Sequence, residues 1–446
     1  MDERSEKILN SSLNSLKDWQ NSFGEWGQYP SLNVPEERVT ETFKRLLQRL
    51  KCNFPFHHPM YAGQMLKPPH PLTWAAYALA MSINPNNHAL DGGPPSSEME
   101  KEAIAELADF FGYGSSYLGH LTASGTIANL EALWIARESH PNKKIAFSEN
   151  SHYTHERMCG VLRVETVKIP VSNDGSFKLE TIDTEEIGTI VVTLGTTGLG
   201  SVEPLEQILP WAKKHNIRIH IDAAYGGFFR VLKDHELEDQ PAWRLMEKAD
   251  SIVVDPHKHG LQPYGCGCVL FKDPAVGTFY KHDSPYTYFT SEDLHLGEIS
   301  LECSRAGASA VAFWATLQMF PLEPDEGFGP IMRKCLAAAK SMYNLMHTSG
   351  KIKPYKEPEL DILGYFPSEC NTTSQISAKS KKVFDKGMKD QSFYLSLYKI
   401  PSSVFSEHHP EFKVDSELVT ILRSVFMKPE HADSYKEIFH RIEKLC

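Results

Sequence analysis

No stretch of the 446 residues approaches the roughly 20 consecutive apolar positions that a membrane-spanning helix needs. The opening residues, MDERSEKILNSSLNSLKDWQ, mix charges throughout and lack the apolar centre of a secretory signal. Basic residues are the minority: 46 Lys and Arg stand against 57 Asp and Glu, a formal charge of −11 that disfavours nucleic acid or an anionic membrane as partner. The eight cysteines form neither a disulfide framework nor a zinc spacing, and Cys266-Gly-Cys268 falls one residue short of CxxC. The histidines form no HExxH, and GxGxxG and Walker A loops are missing, so zinc-enzyme, dinucleotide and nucleoside-triphosphate readings drop out. No internal repeat is visible, which excludes solenoids and propellers. These absences predict a soluble protein of the reducing cytoplasm, with no metal, membrane or nucleic acid partner.

What is present is core-forming material. Hydrophobic residues make up 41% of the chain and charged residues 23%, a globular composition on a length that exceeds one ordinary core. Short β-branched runs at 145–147, 189–194, 217–221, 252–254 and 268–271 alternate with helical patterns at 96–110, 124–135, 204–215 and 239–248. That alternation predicts βαβ units and a mostly parallel sheet, an α/β fold. Two longer helical patterns over 306–347 lead into 350–446, where strand patterns at 360–365, 392–398 and 417–426 and a closing helix at 431–445 predict a smaller α+β lobe. The Ser/Lys-rich stretch 371–382 reads as a surface loop. Near the start, Val39, Phe43, Leu46, Leu47 and Leu50 fall close to helical spacing over 35–50, whereas the Pro- and His-rich stretch 53–73 cannot be a regular helix. The expected layout is an N-terminal helical and extended segment (1–70), a large α/β domain (71–325) and a small C-terminal α+β domain (326–446).

Four segments carry residues suited to chemistry. In Leu121-Thr-Ala-Ser124-Gly125-Thr126, a small hydroxyl-bearing turn opens a helix and offers free N–H groups to a phosphate, although alone it reads first as a plain capped helix start. In Ile217-Arg-Ile-His-Ile-Asp222-Ala-Ala224, an apolar strand ends on an acid, where open parallel sheets hold their ligands; the plainer alternative is an Asp that caps the next loop. Asp255-Pro-His257-Lys258-His259 sets a lysine at the end of a buried strand, and a desolvated amine is what a Schiff base with a carbonyl cofactor requires. In Ser304-Arg305-Ala-Gly307, Arg305 has the fork to hold a carboxylate, or forms a surface ion pair. Taken in order, a phosphate turn, a strand-end acid and then a lysine answer the three demands of pyridoxal 5′-phosphate: donors for its phosphate, an acid for its ring nitrogen and an amine for its aldehyde.

The segments HPMYAGQM, LTASGTIANLEAL, SENSHYTH, TLGTTGLGSVEP, HIDAAYGG, DPHKHG and ECSRAGASA run from about His58 to Met319, more than half the chain. They resemble the group II pyridoxal-phosphate-dependent amino acid decarboxylases, which have the aspartate-aminotransferase-like fold (fold type I). The resemblance implies that Lys258 forms the Schiff base, Asp222 pairs with the pyridine nitrogen, His152 stacks over the ring and Ala224 packs beneath it. It implies that Ser124, Gly125, Thr126 and His257 serve the phosphate, that Thr196 or Thr197 lines the cofactor, and that Arg305 meets the substrate α-carboxylate. Relatives often protonate Cα with a tyrosine on the loop before the Arg segment; Tyr286 is the first candidate here, with Tyr288, His257 and His152 as rivals. The phosphate turn departs mildly from the family, with Ala-Ser-Gly-Thr where many relatives have Ser-Gly-Gly-Thr.

The implied reaction is α-decarboxylation of an L-amino acid to its amine and carbon dioxide, in a homodimer with sites at the subunit interface. Pocket candidates are His58, Tyr61, Gln64 and His88, which suit a polar, acidic or aromatic substrate side chain. Two alternatives remain at this stage: another carbon–carbon lyase or an aldehyde synthase on the same scaffold, and a non-catalytic relative that only binds.

Overall fold

The computed structural model describes residues 2–24, 27, 29–88, 92–172, 174–281 and 300–446. Seven strands form the larger sheet: β1 Leu118–Thr122, β2 Lys144–Ser148, β3 Thr166–Ile169, β4 Ile187–Thr193, β5 Arg218–Asp222, β6 Ser251–Val254 and β7 Gly267–Phe271. Their order is β1-β7-β6-β5-β4-β2-β3. Neighbours from β6 across to β3 pair parallel, and only β7 runs antiparallel to β6 and β1. Parallel sheets need both faces covered, and the side chains alternate accordingly. Ile190, Val192, Ile252, Val254 and Leu270 point into a core built around Trp243, Phe228, Phe229, Phe313 and Phe328. Their neighbours Val191, Val253 and Val269 point the other way, onto Ala128, Ala132 and Leu133 of the helix Gly125–Ser139.

Four antiparallel strands form a second sheet, β8 Ile352–Pro354, β9 Ile362–Pro367, β10 Ser396–Pro401 and β11 Leu418–Val425, in the order β10-β11-β9-β8. The helix Phe328–Met346 joins the two cores: Phe328, Met332 and Leu336 pack in the first, Met342 and Met346 in the second.

The expected strands of the large sheet are present, and β1, β3 and β8 add to those the sequence pattern showed. The stretch 371–382 is a correction: it belongs to the helix Thr373–Lys389, not to a loop. Thr372 caps that helix by accepting from the Gln375 N–H, and Ile376, Ser380, Val383 and Gly387 form its buried face. Two of those four are small and polar or lack a side chain, so the apolar period was hidden. The expected N-terminal helix spans Glu36–Leu50, but its apolar stripe faces outward, with Val39, Phe43, Leu46, Leu47 and Leu50 between 41% and 59% exposed. Among the described residues no helix is long and apolar enough to cross a membrane.

Candidate active site

The parallel strands β5 and β6 end side by side, and each delivers an acid at its carboxyl edge. Asp222 closes β5 and is buried; its Oδ1 accepts the Ala224 N–H at 3.0 Å and its Oδ2 accepts from His155 Nε2 at 2.9 Å. Burial opposes ionisation of this carboxyl, yet the hydrogen bond and charge of His155, the Lys258 ammonium and the Ala224 N–H outweigh it. The group is held well below the usual carboxylate range. An ionised buried acid at this point is what a protonated ring nitrogen requires. His155 is itself fully buried, and its Nδ1 has no partner among the described residues.

Just past β6, Asp255 and Lys258 fold back on one another, with Lys258 Nζ 3.0 Å from Asp255 Oδ2. His257 Nδ1 donates to the Cys266 carbonyl at 2.7 Å, which leaves Nε2 turned toward Asp255 at 3.6 Å. His152 is half-buried; burial lowers its pKa, with the charges of Asp222, Lys258, His155 and Asp255 acting on it in turn. Lys258, Asp222, His152, His257 and Ala224 are therefore brought together.

The phosphate turn joins them from β1. Ser124 caps the helix Gly125–Ser139 through the Ile127 N–H, and among the described residues the Gly125 and Thr126 amides donate to no protein acceptor. Those two N–H groups at a helix start fit a phosphate dianion. Gly125 lies so close to Asp255 that a Cβ would stand 2.5 Å from Oδ2, so only glycine lets the turn reach the Lys258 loop. Free amides, an ionised acid and a lysine with one carboxylate contact fit pyridoxal phosphate as a set.

Thr196 is buried, and its Oγ1 accepts the Ser201 N–H at 3.0 Å, which shapes the Gly-Thr-Thr turn. Behind that turn, Glu203 accepts from Ser148 Oγ and from the Thr193 N–H. Burial raises its pKa to about 7 against those donors.

The expected substrate residues divide. Tyr61 is buried under Lys428, whose Nζ lies 5.2 Å from the ring centre, whereas His58 and Gln64 are exposed. Tyr264 draws the 61–65 segment toward the lysine loop: its hydroxyl donates to the Met65 carbonyl at 3.2 Å and its ring lies 4.7 Å from that of His257. His88 sits beside Gly92, and its buried Nδ1 has no partner among the described residues. Tyr286 and Tyr288 lie outside the described residues. Arg305 is buried, with its Nη1 already on Glu100 Oε1 at 2.5 Å and the Leu121 carbonyl at 2.7 Å, and its Nη2 on the Asn87 carbonyl at 3.2 Å.

Two residues escaped the sequence reading. His155 stands three positions after His152, one helical turn on, inside the SHYTH segment already singled out. Arg423 is the one charged residue of the buried strand β11, a signal that a buried cation needs a purpose. Its Nε donates to the Gly198 carbonyl at 2.6 Å, its Nη2 to the Thr197 carbonyl at 2.7 Å, and its Nη1 to Ser396 Oγ and the Gly63 carbonyl. None of these partners is an acid, and no ion-pair partner lies within 4.0 Å among the described residues.

Comparison with known proteins gives the family. Residues 55–363 match the pyridoxal-dependent decarboxylase conserved domain. The L-tyrosine/L-aspartate decarboxylase of Methanocaldococcus jannaschii is 26% identical over 92% of this chain and 99% of its own. The L-tyrosine decarboxylase of Enterococcus faecium is 25% identical over 80% of this chain and 77% of its own. In fold, mouse CSAD superposes with a TM-score of 0.79 at 16% identity, covering 100% of this chain and 99% of that one. The protein is a carboxy-lyase that decarboxylates an amino acid with pyridoxal 5′-phosphate. The chain belongs to the pyridoxal-dependent decarboxylase family.

Proposed function

We propose that the cluster at the ends of β5 and β6 removes the α-carboxylate of an L-amino acid, with Lys258 as the amine that would hold the cofactor. When bound, pyridoxal phosphate would supply an aldehyde for that amine and a ring into which the electrons of the broken Cα–C bond spread. The observation that carries this reading is the buried Asp222–His155 pair, 2.9 Å apart, beside Lys258. Asp222, kept ionised, would favour a proton on the ring nitrogen, and His155 holds Asp222. His152 and Ala224 would flank the ring, while Gly125, Thr126, Ser124 and His257 would hold the phosphate and Thr196 would line the pocket. Arg423, which has no ion-pair partner within 4.0 Å among the described residues, takes the substrate α-carboxylate; Arg305, already paired with Glu100, anchors the segment around Asn87. Tyr286 delivers the proton that Cα needs after carbon dioxide leaves, with Tyr288, His257 and His152 as rival donors.

The exposed stripe of the helix Glu36–Leu50 covers a second copy of the chain, giving a homodimer with sites at the interface. Eight free cysteines fit the reducing cytoplasm. The relatives' names make tyrosine and aspartate the first substrates to test; Gln64, His58, Tyr61 and His88 are the side chains we assign to the choice between them. The test is a panel of L-amino acids with added cofactor, scoring amine, carbon dioxide, aldehyde and ammonia separately. Amine and carbon dioxide in equal amounts support the reading. Aldehyde with ammonia would assign the site to an aldehyde synthase instead.

A further inference from the structure

Beneath the reactive lysine lies a second buried polar group that the decarboxylation steps do not use. Asp361, one residue before β9, is wholly buried. Its Oδ1 accepts the Tyr225 hydroxyl at 2.6 Å. Its Oδ2 stands 3.2 Å from His259 Nε2, within ion-pair range though off the line of a good hydrogen bond. Tyr225 directly follows Ala224, and His259 directly follows Lys258. One carboxylate from the second sheet thus grips both chain segments that would flank the cofactor ring.

The grip is stiff. The rings of Tyr225 and His259 meet edge to face at 4.8 Å, and Phe229 closes on His259 at 5.0 Å. All four side chains are buried. The main chain adds a tie, as the Phe426 N–H donates to the Asp361 carbonyl at 2.8 Å. The other titratable groups facing this trio are Lys67, Arg423, Cys335 and Lys258 itself. Lys67 is held by the Met427 carbonyl at 3.2 Å, and Arg423 by the carbonyls of the Gly-Thr-Thr turn. A buried polar trio adds little net stability over apolar packing of the same volume; what it can add is one defined orientation.

We propose that Asp361 is a positioning residue for Lys258, acting through His259 and Tyr225 so that the second sheet fixes the direction of the reactive amine. The inference rests on the reading of Lys258 as the amine that binds the cofactor.

The experiment compares the cofactor-loaded wild-type protein with D361N, Y225F and the double variant. The readouts are kcat, KM and the cofactor's visible absorbance. D361N should lower kcat about tenfold with KM changed less than about twofold, the pattern of a lost orienting contact. Adding Y225F to D361N should cost nothing further, because both remove the same link. An unchanged kcat in folded D361N would overturn the proposal, as would additive losses in the double variant. If D361N does not fold, Y225F alone decides: a lowered kcat at constant KM supports the link, and wild-type kinetics overturn it. A wild-type protein without visible absorbance at any pH would instead overturn the reading of Lys258, and this inference with it.

Discussion

His155 Nε2 lies 2.9 Å from Asp222 Oδ2, and both side chains are buried at the carboxyl edge of the sheet. The contact matters because burial alone would push the Asp222 carboxyl toward its neutral form, which cannot hold a proton on a ring nitrogen. His155 and Lys258 reverse that tendency. Replacing Asp222 by Ala should therefore cost about a thousandfold in kcat, the scale of losing one preorganised electrostatic partner. His155→Gln keeps a donor but removes the charge, and should cost about tenfold. The sign of the pH effect follows: a carboxyl with a lowered folded pKa loses its contribution as pH falls, and without His155 that loss begins at higher pH. The acid limb of the kcat profile in His155→Gln should thus move upward in pH.

The two buried arginines make opposite forecasts. Among the described residues Arg423 has only carbonyl and hydroxyl partners, whereas Arg305 is paired with Glu100 at 2.5 Å. Arg423→Gln should raise KM and lower kcat/KM by about a hundredfold, the value of a charged hydrogen-bonded contact of roughly 3 kcal/mol. Arg305→Gln strands a buried carboxylate and should cost about 3–5 kcal/mol of stability, read as a lowered denaturant midpoint. Swapped outcomes would return the α-carboxylate to Arg305.

Glu203 gives a stability forecast. Its pKa rises from an ordinary 4.5 to about 7, with burial as the leading cause. A folded pKa above the unfolded one means that the contribution is complete below the unfolded value and fades as pH rises through the folded value. Between about pH 5 and 8 the wild-type protein should lose on the order of 3 kcal/mol from this group, and Glu203→Gln should remove that slope. Paired thermal melts across the interval check it.

The outward stripe of the helix Glu36–Leu50 forecasts assembly. Phe43→Asp with Leu47→Asp should convert a dimer to a monomer in light scattering and lower activity with it. A wild-type monomer that turns over at full rate would remove the dimer from the account.

Much of the site was legible because its chemistry is local in sequence. Asp222 ends an apolar strand, Lys258 follows another, and Ser124-Gly125 opens a helix; each signal needs only a few neighbouring residues. Arg423 and Asp361 were not legible in this way, since their partners lie at Thr197 and Tyr225, far away in the chain. No local period reports such contacts. The helix Thr373–Lys389 was missed because Ser380 and Gly387 occupy its buried face, so its pattern looked polar throughout.

The central claim is that Lys258, and no other amine, binds the cofactor aldehyde. The protein holds a rival, since burial depresses the pKa of Lys428 to about 8. Borohydride reduction of the cofactor-loaded protein followed by peptide mass mapping separates the two. The account predicts one reduced cofactor per chain, on the peptide that carries Lys258, and none in Lys258→Ala. A label on Lys428 or on another lysine, or no label on a protein that decarboxylates, would contradict it.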